Sequence, residues 1–134
     1  MTIFSKIISG EIPSYKIHES DHFFAFLDIS PLVVGHTLVV PKIEVDKFYH
    51  LPDTFMSEFL LFASPIAKAI EKSFPCKRCG ASIIGLEVPH THLHLIPINT
   101  MDDMNFNREK LKLSSIEFEQ AQEKIITNLK NILK

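Results

Sequence analysis

Residues 87–97 read Glu-Val-Pro-His-Thr-His-Leu-His-Leu-Ile-Pro, which places imidazoles at His90, His92 and His94. Pro89 and Pro97 bracket seven residues, too few for a helix, and a repeat of two is that of a β-strand. On a strand, the three imidazoles share one face, with neighbours about 6.6 Å apart along the backbone. Thr91, Leu93 and Leu95 point the other way, and the leucines hold the strand onto a core. Folding gains little from three groups side by side that all titrate near pH ~6.5, because each proton taken up disfavours the next. The row is therefore read as a functional site.

Two chemistries use such a row. His-x-His on a strand can give zinc two ligands, with a third from elsewhere and water in the open position. Alternatively, one imidazole is a nucleophile, flanked by positive neighbours that depress its pKa and attract an anion; this suits attack on phosphorus. The nearby carboxylates are Glu87, Asp102 and Asp103, the last two in a polar loop, while His36 opens the segment Gly-His-Thr-Leu-Val-Val-Pro-Lys at 35–42. Four imidazoles and few acids favour an anionic guest.

The elements around the row can be read from periodicity. Ile3, Phe4, Ile7 and Ile8 make one face of a short helical turn that Gly10 stops. Two strands, around residues 14–20 and 22–29, form a hairpin, and 35–42 is a third strand. Phe55, Phe59, Phe62, Ile66 and Ile70 are spaced as one face of a core helix from Asp53 to Phe74, which Asp53 or Thr54 can cap and Pro65 should bend. Residues 81–88 and 89–98 supply the last strands. After a polar loop, Ser114 and Glu117 form a capping box for a packing helix whose apolar stripe is Ile116, Ala121, Ile125, Leu129 and Leu133. The order of strands, helix, strands and helix predicts an α+β fold with a mostly antiparallel sheet.

Bulk properties narrow the function. At 134 residues one hydrophobic core is expected. A 46% hydrophobic content and mean hydropathy of +0.12, with no apolar run near the ~20 residues that span a bilayer, argue for a protein that is not in a membrane. The first residues break their apolar character with Ser5, Lys6, Ser9, Gly10 and Glu11, unlike a secretion signal, so a cytoplasmic location is expected. With a net charge of −2 and no basic block, nucleic acid is not expected as a partner. Cys76 and Cys79 are read as ordinary reduced thiols, since zinc needs further ligands and a redox pair needs a particular βαβ context.

With these residues in place, the chain resembles the histidine triad (HIT) family of nucleotide hydrolases and transferases, in its nucleoside phosphoramidase branch. The likeness rests on His90-Thr91-His92-Leu93-His94-Leu95-Ile96 together with residues 3–13, 24–31 and 35–42, and covers about 3–98. It implies a HIT-like α+β fold with a central and a C-terminal helix, one domain over 1–134 with loop and helix at 99–134, and a homodimer that joins two sheets. It implies hydrolysis of nucleoside 5′-phosphoramidates or related nucleotides at the α-phosphorus, with an AMP-like purine nucleotide as substrate, a nucleotidyl-histidine intermediate, and no cofactor or metal. A nucleotide-binding regulatory protein and a dinucleoside polyphosphate hydrolase are the alternatives.

By match to the motif, His92 is the nucleophile, with a backbone carbonyl holding its Nδ1 proton. His94 binds the phosphate and aids the leaving group, His90 orients the strand, and His36 contacts the phosphate from across the site. Asp28 matches the acid that binds the ribose hydroxyls, and Phe4, Ile7, Ile12, Phe26 and Ile29 match the base pocket. The chain departs from the family at Gly85-Leu86-Glu87-Val88-Pro89, where Glu87 stands near the leaving group. Cys79 stands, without gaps, where the family has an amide residue. Thr2 and Ser5 occupy the positions of a zinc-binding cysteine pair found in some bacterial relatives.

Overall fold

The computed structural model describes all 134 residues. The elements run α1 (Ile3–Ser9), β1 (Lys16–Glu19), β2 (Phe23–Leu27), β3 (Thr37–Pro41), α2 (Asp53–Ser73), β4 (Arg78–Ile83), β5 (Leu93–Ile98) and α3 (Ser115–Ile132), with short 3₁₀ turns at Phe48–His50 and Met101–Met104. The strands form one sheet in the order β1-β2-β3-β5-β4, and every neighbouring pair is antiparallel. The fold is α+β, as the element order predicts.

Because side chains alternate across a strand, the sheet has two apolar faces with different coverings. Phe23, Ala25, Leu27, Val39, Leu93 and Leu95 face α2 and α3, joining Phe59, Ile66, Ile70, Phe118 and Ile125 in the main core. Phe24, Phe26, Leu38 and Val40 face the other way and are covered by Phe4 of α1, with Ile7 and Val88 alongside. That second face carries the histidines. The core face fixes which residues can appear there, since a slip of one residue would bury the wrong set.

Three local expectations are corrected. β5 begins at Leu93, so of the three histidines only His94 sits in the ladder. Thr91 is diverted to the chain before α2, its N–H donating to the Val45 carbonyl at 2.7 Å and its hydroxyl to the same carbonyl at 2.6 Å. Second, neither Asp53 nor Thr54 caps α2; Pro52 takes that position without a side-chain bond, its fixed φ suiting a helix start. Third, the Ser114–Glu117 box caps α3 as expected, but the buried stripe is Phe118, Ala121, Ile125 and Leu129. Ile116 and Leu133 are exposed, because Phe118 stacks on Tyr15 at 4.8 Å and sets the helix phase. Pro65 lies inside α2. No helix is long and apolar enough to cross a membrane.

Gly35 sits where the chain turns into His36 and β3. Its φ is +97°, and a Cβ there would overlap the ring of Phe74. Both the left-handed backbone and the close approach require glycine. Gly35→Ala is expected to destabilise the fold by roughly 1–3 kcal/mol, measurable as a lower urea midpoint; an unchanged midpoint would show that this turn can relax at no cost.

Candidate functional site

On the second sheet face, four imidazoles meet. His36 stands one residue before β3, His94 lies on β5 opposite Leu38, and His92 and His90 follow the approach to β5. All four are more than nine-tenths buried, so each ring nitrogen needs a partner or a ligand. The rings of Phe4 and His92 (5.0 Å), His92 and His94 (5.0 Å), and His94 and Phe106 (4.7 Å) form one continuous edge-to-face row.

The hydrogen bonds assign the tautomers. Leu32 N–H donates to His36 Nδ1 at 3.0 Å, so neutral His36 carries its proton on Nε2. That nitrogen lies 2.9 Å from His94 Nδ1 and donates to it, leaving the His94 proton on Nε2. His92 Nδ1 donates to the His90 carbonyl at 2.8 Å, so His92 Nε2 keeps an unshared pair. His90 Nε2 donates to the Pro41 carbonyl at 2.8 Å, and its Nδ1 receives the Thr2 hydroxyl at 2.7 Å.

Electrostatics revise one expectation. Burial, reinforced by His94, Lys110 and His92, pushes His36 down to about 3; burial and then His92 push His94 down to about 4. Burial also lowers His90. These neighbours are therefore neutral near pH 7 and do not act as cations on His92, contrary to the sequence reading. What they offer an anion is oriented N–H donors, which cost less to bury than charge.

Asp28 reaches His36 Nε2 at 3.6 Å and accepts the Ser30 N–H at 2.8 Å. Burial raises its pKa. Asp28, His36 and His94 bring one carboxylate oxygen and two ring nitrogens within 4.8 Å of one another, a spacing suited to a metal ion. The donor set does not fit one. For His36 Nε2 to ligate, its proton must move to Nδ1, where it would face the Leu32 N–H, donor against donor.

Of the expected base pocket, Phe4, Ile7 and Phe26 come together, with Phe4 and Phe26 centred 5.7 Å apart. Ile12 is half-buried and Ile29 is exposed, so neither is part of that buried cluster. Glu87 is exposed and, with Glu44, Thr2, Ile3, Val88 and Pro89, lines a cleft of about 470 Å³ beside His90. Cys79 is not at the site. It pairs with Pro97 on the core side of β4, so strand parity overturns its match to the family's amide residue; Ser82 is the β4 residue opposite His94. Cys76 and Cys79 are free thiols, and burial pushes Cys79 up to about 12.

Sequence reasoning missed two groups that touch the histidines. Thr2 both caps α1 through the Ser5 N–H and bonds His90; the N-cap pattern before Ile3 could have found the first role, though not the second. Phe106 sits in a polar loop with no periodicity, and nothing local marks it.

A family model for the HIT domain matches residues 9–101. The chain belongs to the HIT family. It is 38% identical over 135 residues to an uncharacterized HIT-like protein of Borreliella burgdorferi, covering 95% of this chain and 97% of that one. It is 41% identical over 96 residues to the adenosine 5′-monophosphoramidase HNT1 of Saccharomyces cerevisiae, covering 71% of this chain and 61% of the yeast protein. Among solved structures, the Hit-like protein involved in cell-cycle regulation from Bartonella henselae superposes with a TM-score of 0.81 at 29% identity, covering 95% of both chains. The HIT match takes in His36, Asp28 and all three histidines of the row, whereas Thr2, Phe4, Phe106 and Arg108 fall outside it.

The lowered His36 and His94 pKa values make stability pH-dependent. The unfolded chain protonates these imidazoles near pH ~6.5, while the folded HIT domain resists until about 3 and about 4. Between those limits the unfolded state binds more protons, so the stability these groups contribute is present above pH ~6.5 and lost as pH falls. Urea midpoints should decline from pH ~6.5 toward 4, less steeply in His94→Gln; an equal decline in the variant would remove His94 as the cause.

Proposed function

We propose that this HIT protein hydrolyses nucleoside 5′-phosphoramidates or related nucleotides at the α-phosphorus, with His92 as covalent nucleophile. HIT membership and phosphoramidase-named relatives support a nucleotide hydrolase. The observation that carries the finer reading is the 2.8 Å bond from His92 Nδ1 to the His90 carbonyl, which leaves the Nε2 lone pair as the reactive atom.

In this reading, His92 Nε2 attacks phosphorus and the bond to the leaving nitrogen breaks. The amine departs with that electron pair and takes a proton from solvent. As Nε2 bonds to phosphorus the ring becomes cationic, and the Nδ1–H···O bond to His90 strengthens. It is thus worth more in the transition state than in the ground state. Water then attacks phosphorus and gives up a proton to solvent, the P–Nε2 bond breaks with its electron pair returning to Nε2, and the nucleotide leaves with His92 restored. His94, carrying its proton on Nε2, donates to a phosphoryl oxygen, and His36 holds His94 in that tautomer. In the free protein burial holds His94 well below the usual imidazole range, so it serves as a hydrogen-bond donor to that oxygen and not as an acid with a spare proton. Asp28 accepts the ribose hydroxyls, and Phe4, Ile7 and Phe26 pack on the base. Glu87 stands at the cleft where the leaving group exits. No step uses a metal or cofactor.

The protein acts as one domain over residues 1–134, in the cytoplasm, as a homodimer. β4 is an outer strand with an unpaired edge, and α2 leaves Leu60 and Leu61 exposed; these features support edge-to-edge joining of two sheets. A monomer by sedimentation at micromolar concentration would contradict the dimer.

His92→Asn is expected to lower turnover of a fluorogenic adenosine phosphoramidate by more than about 10³-fold in excess EDTA, with the thermal midpoint and nucleotide binding little changed. Full activity of the variant would remove His92 from the chemistry. Tight nucleotide binding by a wild type that never turns over would point to a regulatory binding protein instead. Asp28→Asn should mainly raise KM, because it loses ground-state and transition-state contacts alike; a fall in kcat alone would argue against ribose binding.

A further inference from the structure

The HIT match ends at Met101, yet the chain beyond it returns to the histidines. The Phe106 ring packs edge-on to His94 at 4.7 Å and to His36 at 6.3 Å. Two residues later, Arg108 Nη2 donates to the Leu32 carbonyl at 2.7 Å. Its Nη1 is held by the Asp102 carbonyl and carboxylate, both at 3.1 Å, and by Asp103 at 3.5 Å. Leu111 N–H donates to the Pro31 carbonyl at 2.9 Å, so the strap is tied to two successive peptide units.

Leu32 is the residue whose N–H selects the His36 tautomer, and it is wholly buried. One residue therefore links Arg108 on its carbonyl to His36 on its amide. From there the donors run His36 Nε2 to His94 Nδ1, ending at the His94 Nε2 proton, the one that donates to the phosphoryl group in the reading above.

Resting on the phosphoryl-transfer reading above, we infer that Arg108 is a positioning residue for this reaction: with Asp102 and Asp103 it locks Leu32, and through Leu32 it holds His36 and His94 in the tautomers that present a donor to the substrate. Phe106 closes the same side against water. A planar guanidinium can bind the Leu32 carbonyl and the Asp102 groups at once, from two different nitrogens, which a single ammonium cannot do with the same geometry. The side-chain bonds of Arg108 go to the Leu32 carbonyl, Asp102 and Asp103 and reach the histidines only through Leu32, so its loss should affect the rate more than binding.

The test compares Arg108→Ala and Arg108→Lys with wild type by two readouts: steady-state kinetics on an adenosine phosphoramidate, and ¹⁵N NMR of the His36 and His94 rings in the substrate-free protein at neutral pH. Arg108→Ala is expected to lower kcat by about tenfold with KM within about twofold, and to turn the single His36 tautomer into a mixture. Arg108→Lys, which can still reach the Leu32 carbonyl with one N–H, should lie closer to wild type in both. Wild-type tautomers and kcat in Arg108→Ala would overturn the inference. So would equal impairment of both variants with unchanged tautomers, the mark of a scaffold role alone. Should Arg108→Ala fail to fold, Arg108→Lys decides: partial loss of kcat with partial tautomer mixing supports the inference, and impairment with wild-type tautomers overturns it. If wild type showed no turnover, the reaction proposed above would fall, while the tautomer readout would still judge the link from Arg108 to His36.

Discussion

The structure depends on one constraint: four imidazoles are buried together, and burial disfavours the charged form of His36, His90 and His94. Buried ring nitrogens need partners, and the chain supplies them to both nitrogens of His36 and His90 and to Nδ1 of His92 and His94. Main-chain groups do the setting at Leu32, Pro41 and His90, and Thr2 supplies one hydroxyl. Main-chain partners are stiff because they belong to the sheet and its turns. Ring orientation is therefore inherited from the backbone. No buried side-chain nitrogen or oxygen is left without a partner, the condition under which a buried polar network adds definition to a fold instead of weakening it.

That network stands on a sheet with a division of labour. One face is given wholly to aliphatic and aromatic packing under α2 and α3, and this is where the stability of the fold is concentrated. The other face is then available for polar side chains, roofed only by short α1 and by the loop that carries Phe106. Alternation along β5 assigns Leu93 and Leu95 to the first task and His94 to the second. Relieving this face of most packing duties is what leaves room for a row of imidazoles there.

The same arrangement explains how a neutral site can suit an anion. Lysines and arginines are scarce around the row, and Lys110 is the one felt by both Asp28 and His36. For the proposed reaction, donors aimed in advance would need no reorganisation as charge develops on phosphoryl oxygens. In the proposed reaction, the His92 ring would gain most from the His90 carbonyl as its bond to phosphorus forms.

Much of this was legible in the chain itself. The alternation of His90, His92 and His94 with Thr91, Leu93 and Leu95, the spacing of Phe59, Ile66 and Ile70, and the Ser114–Glu117 box are local patterns. Local patterns state which side of an element is apolar. They therefore determined the antiparallel α+β class, the presence of an imidazole face and, through four ordered motifs, the HIT resemblance. Tertiary structure decided the rest. That β5 starts only at Leu93 depends on Thr91 finding Val45, and the phase of α3 depends on Phe118 meeting Tyr15. Cys79 lies on the core side because β4 pairs with β5 in one particular register. The protonation pattern was out of reach as well, since a tautomer is chosen by a partner from distant chain, such as Leu32 for His36 or Thr2 for His90. Sequence patterning determines faces because it repeats over neighbours; partners, depth of burial and hence charge are properties of three-dimensional contact, and only the folded chain brings Arg108, Leu32, His36 and His94 into one line.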